Sequence, residues 1–271
     1  MITYETILES KNYIDSFGGF KPQIGIILGS GLSSFADSLN DKLVIPYKDI
    51  PNFPISTVKG HKGNLVLGTL EGKNIICMQG RFHFYEGYSM QEVTFPIRVM
   101  QLLGIKILII TNAAGGVNKS FSTGDIMIIT DHISRMPNPL IGPNDERLGT
   151  RFPSTSEVYD KELINIVKAV AKKENIDIKQ GVYVGNTGPS FETNAEYIMF
   201  RNLGISAVGM STVPEVIVAA HGGMKVLGLS VISNVFDENA IEEPSHQEVL
   251  DNVERANSNL LRLIEGVLQQ I

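Results

Sequence analysis

Apolar residues recur in short runs along this chain, and polar residues and glycines separate the runs. Several runs are apolar throughout, as in "ILII" (107–110), which is typical of strands that are covered on both faces of a sheet. Amphipathic helical patterns lie between the runs, so the sequence predicts an α/β fold with helices flanking a sheet. The predicted strands cover residues 23–28, 63–70, 73–79, 105–111, 125–130, 181–185, 205–210 and 224–233.

Capping boxes mark several helix starts. In such a box a hydroxyl and a glutamate three residues later satisfy the first backbone N–H groups of the helix reciprocally. The boxes are "SMQE" (89–92), "TNAE" (193–196), "TVPE" (212–215) and "SHQE" (245–248). Near the C-terminus an apolar stripe at helical spacing predicts a core-packing face made of Val253, Ala256, Leu260, Ile264 and Val267.

Residues 131–156 follow neither period and hold four of the twelve prolines. Ordered loops of this length are uncommon and are usually functional or disordered. The segment is therefore a candidate functional loop, with a plain surface excursion as the alternative.

Composition limits the class of protein. The chain has 271 residues, 43% of them apolar, and we expect one domain spanning 1–271. The net charge of −6, without a basic stripe, argues against a nucleic-acid partner. The single cysteine excludes an internal disulfide, the N-terminus lacks the apolar run of a signal peptide, and no apolar run is long enough to span a bilayer. We expect a soluble, cytoplasmic protein without a membrane partner.

Candidate chemistry gathers where strands give way to helices, which is where ligands of α/β sheets bind. Ser30 stands between two glycines after the first strand, an arrangement that points backbone N–H groups and a helix N-terminus at an anion. A simple glycine turn is the alternative. "ILIITNAAGGVN" (107–118) repeats the device around Ala113, and Ser211 precedes a further helix as either an N-cap or an anion donor.

"GRFHFYEGYS" (80–89) places Arg81, His83 and Tyr85 at every second position. A guanidinium, an imidazole and a phenol would then share one edge of an extended segment. Together with the strand ends, Arg81 and His83 indicate a phosphate site.

Other polar residues suit a heterocycle. Phe191 and Glu192 precede a helix, where the carboxylate either accepts N–H bonds from a ring or simply favours the helix dipole. Asn234 ends an apolar strand, and its amide can donate and accept at once. His246 is either a solvated first-turn histidine or a contact to a ligand hydroxyl, and His61 is most simply a loop histidine.

Two other enzyme classes fit these motifs poorly. A dinucleotide-binding fingerprint in "GSGLSS" would need glycine where Ser34 stands. A nucleophile elbow in "GMSTV" would need glycine where Val213 stands. A non-enzymatic nucleotide-binding module remains a further alternative, and it predicts ligand binding without product formation.

Longer blocks carry a resemblance to a known family. They include "IPNFPISTVKGH", "GRFHFYEGY", "TNAAGG", "NPLIGPNDER", "GPSFET" and "GMSTVPEVIVA". The chain resembles the trimeric, inosine- and guanosine-specific purine nucleoside phosphorylases. The resemblance implies a single α/β domain with a mixed, partly barrel-like sheet, a homotrimer, and no metal or organic cofactor. It also implies phosphorolysis of 6-oxopurine (deoxy)ribonucleosides, with inorganic phosphate as co-substrate, to a free base and (deoxy)ribose 1-phosphate.

The resemblance also implies roles for individual residues. Matching the phosphate binders are Ser30, His61, Arg81, His83, Ala113 and Ser211. Matching the purine pocket are Phe191, Glu192, Val208, Met210 and Asn234. Matching the ribose contacts are Tyr85, Met210, His246 for the 5′-hydroxyl, and Phe152 reaching into a neighbouring subunit. Catalysis would depend on Asn234, Glu192 and His83.

The match is not uniform. Ser233 stands where vertebrate members carry threonine, and residues 235–245 diverge and are shorter. The related methylthioadenosine phosphorylases carry aspartate where this chain has Asn234 and bind a 6-aminopurine. That activity is the alternative to a 6-oxopurine specificity, which an amide able to donate to a 6-oxo group favours.

Overall fold

The computed structural model describes residues 2–58, 61–237 and 246–271, without the side chain of His246. Nine strands and six helices lie within these ranges. The strands are Ile24–Ile27 (β1), Asn40–Pro46 (β2), Asn64–Leu70 (β3), Lys73–Gln79 (β4), Ile107–Gly116 (β5), Ile126–Ser134 (β6), Ile178–Gly185 (β7), Ile205–Gly209 (β8) and Lys225–Val235 (β9). The helices are Tyr4–Asp15 (α1), Met90–Leu102 (α2), Lys161–Lys173 (α3), Asn194–Asn202 (α4), Val213–His221 (α5) and His246–Leu268 (α6).

The nine strands form one mixed sheet that closes on itself at one end. Its order is β2-β3-β4-β1-β5-β8-β7-β6-β9, and an additional pairing joins β5 to β9. The five strands from β5 to β9 therefore form a closed barrel, and the other four extend from it as an open wing. This architecture confirms the predicted mixed, partly barrel-like sheet flanked by helices.

Burial explains why the apolar runs became strands. Every residue of β1 is buried, and β9 is buried from Val226 to Ser233. The five residues of the C-terminal stripe are all buried on α6, which confirms that prediction. Among the described residues, no helix combines the length and apolarity needed to cross a bilayer.

Two of the capping boxes form as predicted. The hydroxyls of Ser89 and Thr193 each accept from the backbone N–H of the glutamate three residues later, and that glutamate's carboxylate accepts from the backbone N–H of the capping residue. At α5 Glu215 likewise accepts from the Thr212 N–H at 2.8 Å, and the Thr212 hydroxyl also accepts from Arg81 and Asn112. The box at 245–248 begins outside the described residues.

Three local expectations were wrong. The glycine turn after β1 leads into a 3₁₀ stretch, Ser33–Ser38, and no α-helix follows it. "TNAAGG" continues β5 because it pairs with β9, where sequence alone suggested that the strand had ended. The irregular segment starts after Ser134 because β6 runs on to that residue in register with β7.

Candidate active site

The ends of four strands meet at one pocket. Ser30 follows β1 and Met210 follows β8, while Ala113 and Asn234 lie near the ends of β5 and β9. Such convergence is where α/β sheets bind ligands. Of the residues predicted for a ligand site, those lining this pocket are Ser30, Arg81, His83, Tyr85, Ala113, Phe191, Glu192, Val208, Met210, Ser211 and Asn234.

Three predicted residues are not in this lining. His61 stands behind Ser30, with its Nε2 3.2 Å from Ser30 Oγ. Phe152 is 85% exposed and borders a different groove with Arg151 and Ile217. The side chain of His246 lies outside the described residues.

The pocket at the strand ends has a volume of about 130 Å³. A larger cavity of about 450 Å³ lies elsewhere, between the start of α1, α2, α5 and the loop before α3. None of the predicted site residues lines it. Size therefore does not identify the site, and the convergence of polar side chains at strand ends does.

Arg81 supplies a buried positive charge at one end of the pocket. Its guanidinium, 1% exposed, donates through Nη1 to Ser211 Oγ and Glu215 Oε2, each at 3.0 Å, and through Nη2 to the backbone oxygen of Thr111. Its buried Nε has no hydrogen-bond partner. Desolvation opposes an ion pair this deeply buried, and the hydrogen bonds from Arg81 to Ser211 and Thr111 offset part of that cost.

His83 lines the same end and is oriented by a carboxylate. Glu86 Oε1 lies 3.1 Å from His83 Nδ1 and accepts from the His83 backbone N–H at 2.8 Å. The second oxygen of Glu86 accepts from the N–H and hydroxyl of Thr57. Burial acts to raise the pKa of Glu86, but the hydrogen bonds from His83 and Thr57 lower it to about 2. The charged carboxylate therefore holds a proton on Nδ1 of His83 and leaves Nε2 for a ligand.

Three rings stand beside one another next to Arg81. The His61 and His83 centroids are 5.3 Å apart, and those of His83 and Tyr85 are 4.6 Å apart. Burial, with the charges of His83 and Arg81, lowers the pKa of His61 to about 4, and burial likewise lowers the pKa of His83. Burial and the nearby Glu86 raise the pKa of Tyr85 to about 12, so it remains a phenol donor at neutral pH.

Buried histidines predict how stability depends on pH. Burial lowers the pKa of all four histidines whose side chains are described: His61, His83, His132 and His221. Below about pH 6.5 the unfolded chain then binds more protons than the folded chain, so stability falls with falling pH. We expect the free energy of unfolding, measured with urea, to decline between about pH 7 and pH 5.

The variant His61→Asn tests the source of that decline. Its slope against pH should be shallower, because one depressed pKa is removed while the other three remain. A wild-type stability that is flat or rises towards pH 5 would contradict the assignment.

At the other end of the pocket lie the amide of Asn234 and the carboxylate of Glu192. Glu192 Oε1 accepts from the Asn186 side chain at 2.7 Å, and the exposed Phe191 precedes it. Asn234 Oδ1 accepts from the Ser233 hydroxyl at 2.9 Å, so its Nδ2 donor is left for the pocket. Gly115 also lines the pocket, and a methyl group there would lie 3.3 Å from the Tyr197 hydroxyl oxygen and 3.7 Å from that Nδ2.

Sequence reasoning missed the residues that support the site. Thr212 and Glu215 were interpreted only as a helix cap, and Asn112 was not considered. The Asn112 Nδ2 donates to Thr212 Oγ1 at 2.9 Å. Glu86 was quoted only within a motif, although its place three residues after His83 is the spacing of a reciprocal cap, which could have identified the pair.

Comparisons with known proteins identify the family of the chain. The family model described as "Phosphorylase superfamily" matches residues 23–269, so the chain is a member of that superfamily. "Purine nucleoside phosphorylase 1" of Geobacillus stearothermophilus is 56% identical over 252 residues, which cover 92% of each chain. The chain belongs to the purine nucleoside phosphorylase family.

Solved structures give the same result. The Schistosoma mansoni purine nucleoside phosphorylase in complex with inosine is 44% identical, with a TM-score of 0.94 over 99% of this chain and 97% of that one. The same comparison with its adenosine complex gives 44% identity and a TM-score of 0.95 over 99% and 98% of the chains.

Proposed function

We propose that this protein catalyses the reversible phosphorolysis of 6-oxopurine ribonucleosides and deoxyribonucleosides, a salvage reaction. Inosine or guanosine and inorganic phosphate give the free base and the sugar 1-phosphate. The observation that carries the proposal is the polarity of one pocket. Arg81 and His83 lie at one end, Asn234 and Glu192 lie at the other, and Tyr85 also lines it.

The cationic end binds phosphate. Besides Arg81, the hydroxyls of Ser30 and Ser211 and the backbone N–H of Ala113 donate hydrogen bonds to the phosphate. His61 supports this end through its contact with Ser30. Breaking a glycosidic bond develops positive charge on the sugar, and a phosphate held against that face stabilises the charge and supplies the nucleophile.

The amide end binds the base. The bond between C1′ and the purine nitrogen breaks, a phosphate oxygen bonds to C1′, and the electron pair of the broken bond passes to the purine. Asn234 donates to N7 as this charge develops, Glu192 accepts from the other edge, and Phe191 packs on the ring. Val208 and Met210 complete the apolar wall. Orientation and charge stabilisation suffice, so no covalent enzyme intermediate forms.

The specificity proposal depends on Asn234. Because Ser233 bonds its Oδ1, its Nδ2 donor faces the pocket and suits a 6-oxo group as well as N7. An adenosine-type activity is the second candidate, since a similar protein has been crystallised with adenosine.

Assembly and cofactor use are part of the same proposal. Phe152, exposed in the single chain, inserts into the ribose site of a neighbouring subunit in a homotrimer, and His246 meets the 5′-hydroxyl. The reaction needs no metal or organic cofactor, and the protein works in the cytoplasm.

Base release from inosine and from adenosine, each with and without phosphate, tests the proposal. Phosphate-dependent release from inosine, with little from adenosine, is the expected result. Equal release from adenosine would contradict the 6-oxo specificity, and release that does not need phosphate would indicate hydrolysis. Binding of inosine without any release would favour a non-enzymatic module.

A further inference from the structure

The backbone at Thr212 has a conformation that few residues adopt. Its φ is 74° and its ψ is −55°, and the Val213 N–H donates to the Ser211 carbonyl oxygen at 2.8 Å. These values define a γ-turn with positive φ, which is rare and strained. A β-branched residue adopts positive φ only as an outlier, so surrounding contacts must stabilise it here.

Four groups hydrogen-bond Thr212 in this turn. Its Oγ1 accepts from Asn112 Nδ2 at 2.9 Å and from Arg81 Nη1 at 3.2 Å, and it lies 3.1 Å from Ser211 Oγ. Its backbone N–H donates to Glu215 Oε2 at 2.8 Å. The residue is fully buried, so these bonds do not compete with solvent.

The turn determines where the phosphate-binding groups lie. An ordinary N-cap hydroxyl would bond the first N–H groups of α5, but the Thr212 hydroxyl bonds Arg81 and Asn112. The preceding residue, Ser211, then lies in the pocket lining with its Oγ 3.0 Å from Arg81 Nη1. Thr212 thus contacts both the Ser211 hydroxyl and the Arg81 guanidinium at the cationic end.

We propose that Thr212 is a positioning residue whose strained turn and hydroxyl hold Ser211 and Arg81 in the geometry that binds phosphate. The inference depends on the proposed function only in that phosphate is the ligand of this end. Its effect should therefore appear in phosphate binding and not in nucleoside binding.

Three substitutions at Thr212 distinguish the effect of its hydroxyl from the effect of its strained backbone. Thr212→Val keeps the branched shape and removes the acceptor, Thr212→Gly removes the acceptor and relieves the strain, and Thr212→Ser keeps the hydroxyl. We expect Val and Gly to raise the phosphate KM by about tenfold, because bonds to a charged group are lost, and to leave the inosine KM within about twofold. Ser should stay close to the wild type in both.

Thr94→Val is the matched control. Thr94 is also a buried threonine, but its hydroxyl donates to the Met90 backbone within α2. Its phosphate KM should not change. Thermal unfolding of each variant then measures its stability separately. Thr212→Gly should be more stable than Thr212→Val, because glycine tolerates positive φ.

Several results would overturn the inference. They are an unchanged phosphate KM in Thr212→Val, parallel changes in both KM values, or a Gly variant that regains the wild-type phosphate KM. If Val does not fold, the comparison of Gly with Ser decides the same question. Calorimetric titration with inorganic phosphate gives the dissociation constant even if the wild type does not turn inosine over, so failure of the proposed function is distinguishable. A wild type that binds no phosphate would overturn both.

Discussion

Replacing Asn234 with alanine is expected to lower kcat/KM for inosine by about two to three orders of magnitude, the cost of removing one donor aimed at developing negative charge. The side chain lines the base end of the pocket, and Ser233 holds its oxygen so that Nδ2 is free to donate. That donation strengthens as electrons reach the purine, so kcat should fall most. Steady-state rates with inosine and phosphate varied independently measure the effect.

The phosphate KM distinguishes this role from general damage. The hydrogen bond described for the Asn234 side chain is with Ser233, and Arg81 and His83 bond other residues, so phosphate binding should stay within about threefold of the wild type. Asn118→Ala is the matched control, because this asparagine lies in the turn after β5 and bonds Ser120. Comparable losses in turnover and in phosphate binding would contradict the assignment.

Asn234→Asp tests the specificity separately. A carboxylate only accepts, so it suits a 6-amino group and repels the lone pair of a 6-oxo group. The ratio of kcat/KM for adenosine over inosine should rise. An unchanged ratio would mean that other parts of the pocket select the base.

The strands were predictable because burial on both faces leaves a continuous apolar run, as in β1 and β9. The edge strand Asn40–Pro46 was missed because most of its residues are exposed and its first three, Asn40 to Lys42, are polar. The extension of β5 was missed because alanine and glycine have low strand propensity, and pairing with β9 overrides it.

The site was predictable only where function requires particular side chains at strand ends. Arg81, Ser211 and Asn234 stood out because charged or polar groups follow apolar runs. Their supports did not, because the partners are distant in sequence: Arg81 and Glu215 are 134 residues apart. A glutamate in the first turn of a helix is usually a solvated cap, and only the folded chain shows it buried beside a guanidinium.

Glu215→Ala is expected to destabilise the protein by about 3–5 kcal/mol, because it leaves the buried guanidinium of Arg81 without its counter-charge. Both side chains are almost fully buried, at 1% and 3% exposure, and the carboxylate also accepts from the Thr212 N–H. Urea unfolding without phosphate measures the loss. Saturating phosphate should restore part of it, because an anion bound beside Arg81 supplies negative charge and binds only the folded state.

Two comparisons show whether the charge is responsible. Glu157→Gln removes one partner of the exposed pair with Lys161 and should cost no more than about 0.5 kcal/mol. The double variant Arg81→Met with Glu215→Leu removes both charges, so it should be more stable than either Arg81→Met or Glu215→Ala. If Glu215→Ala cost no more than Glu157→Gln, the pair would be a minor contact. If the double variant were the least stable, packing would dominate over charge at this end of the pocket.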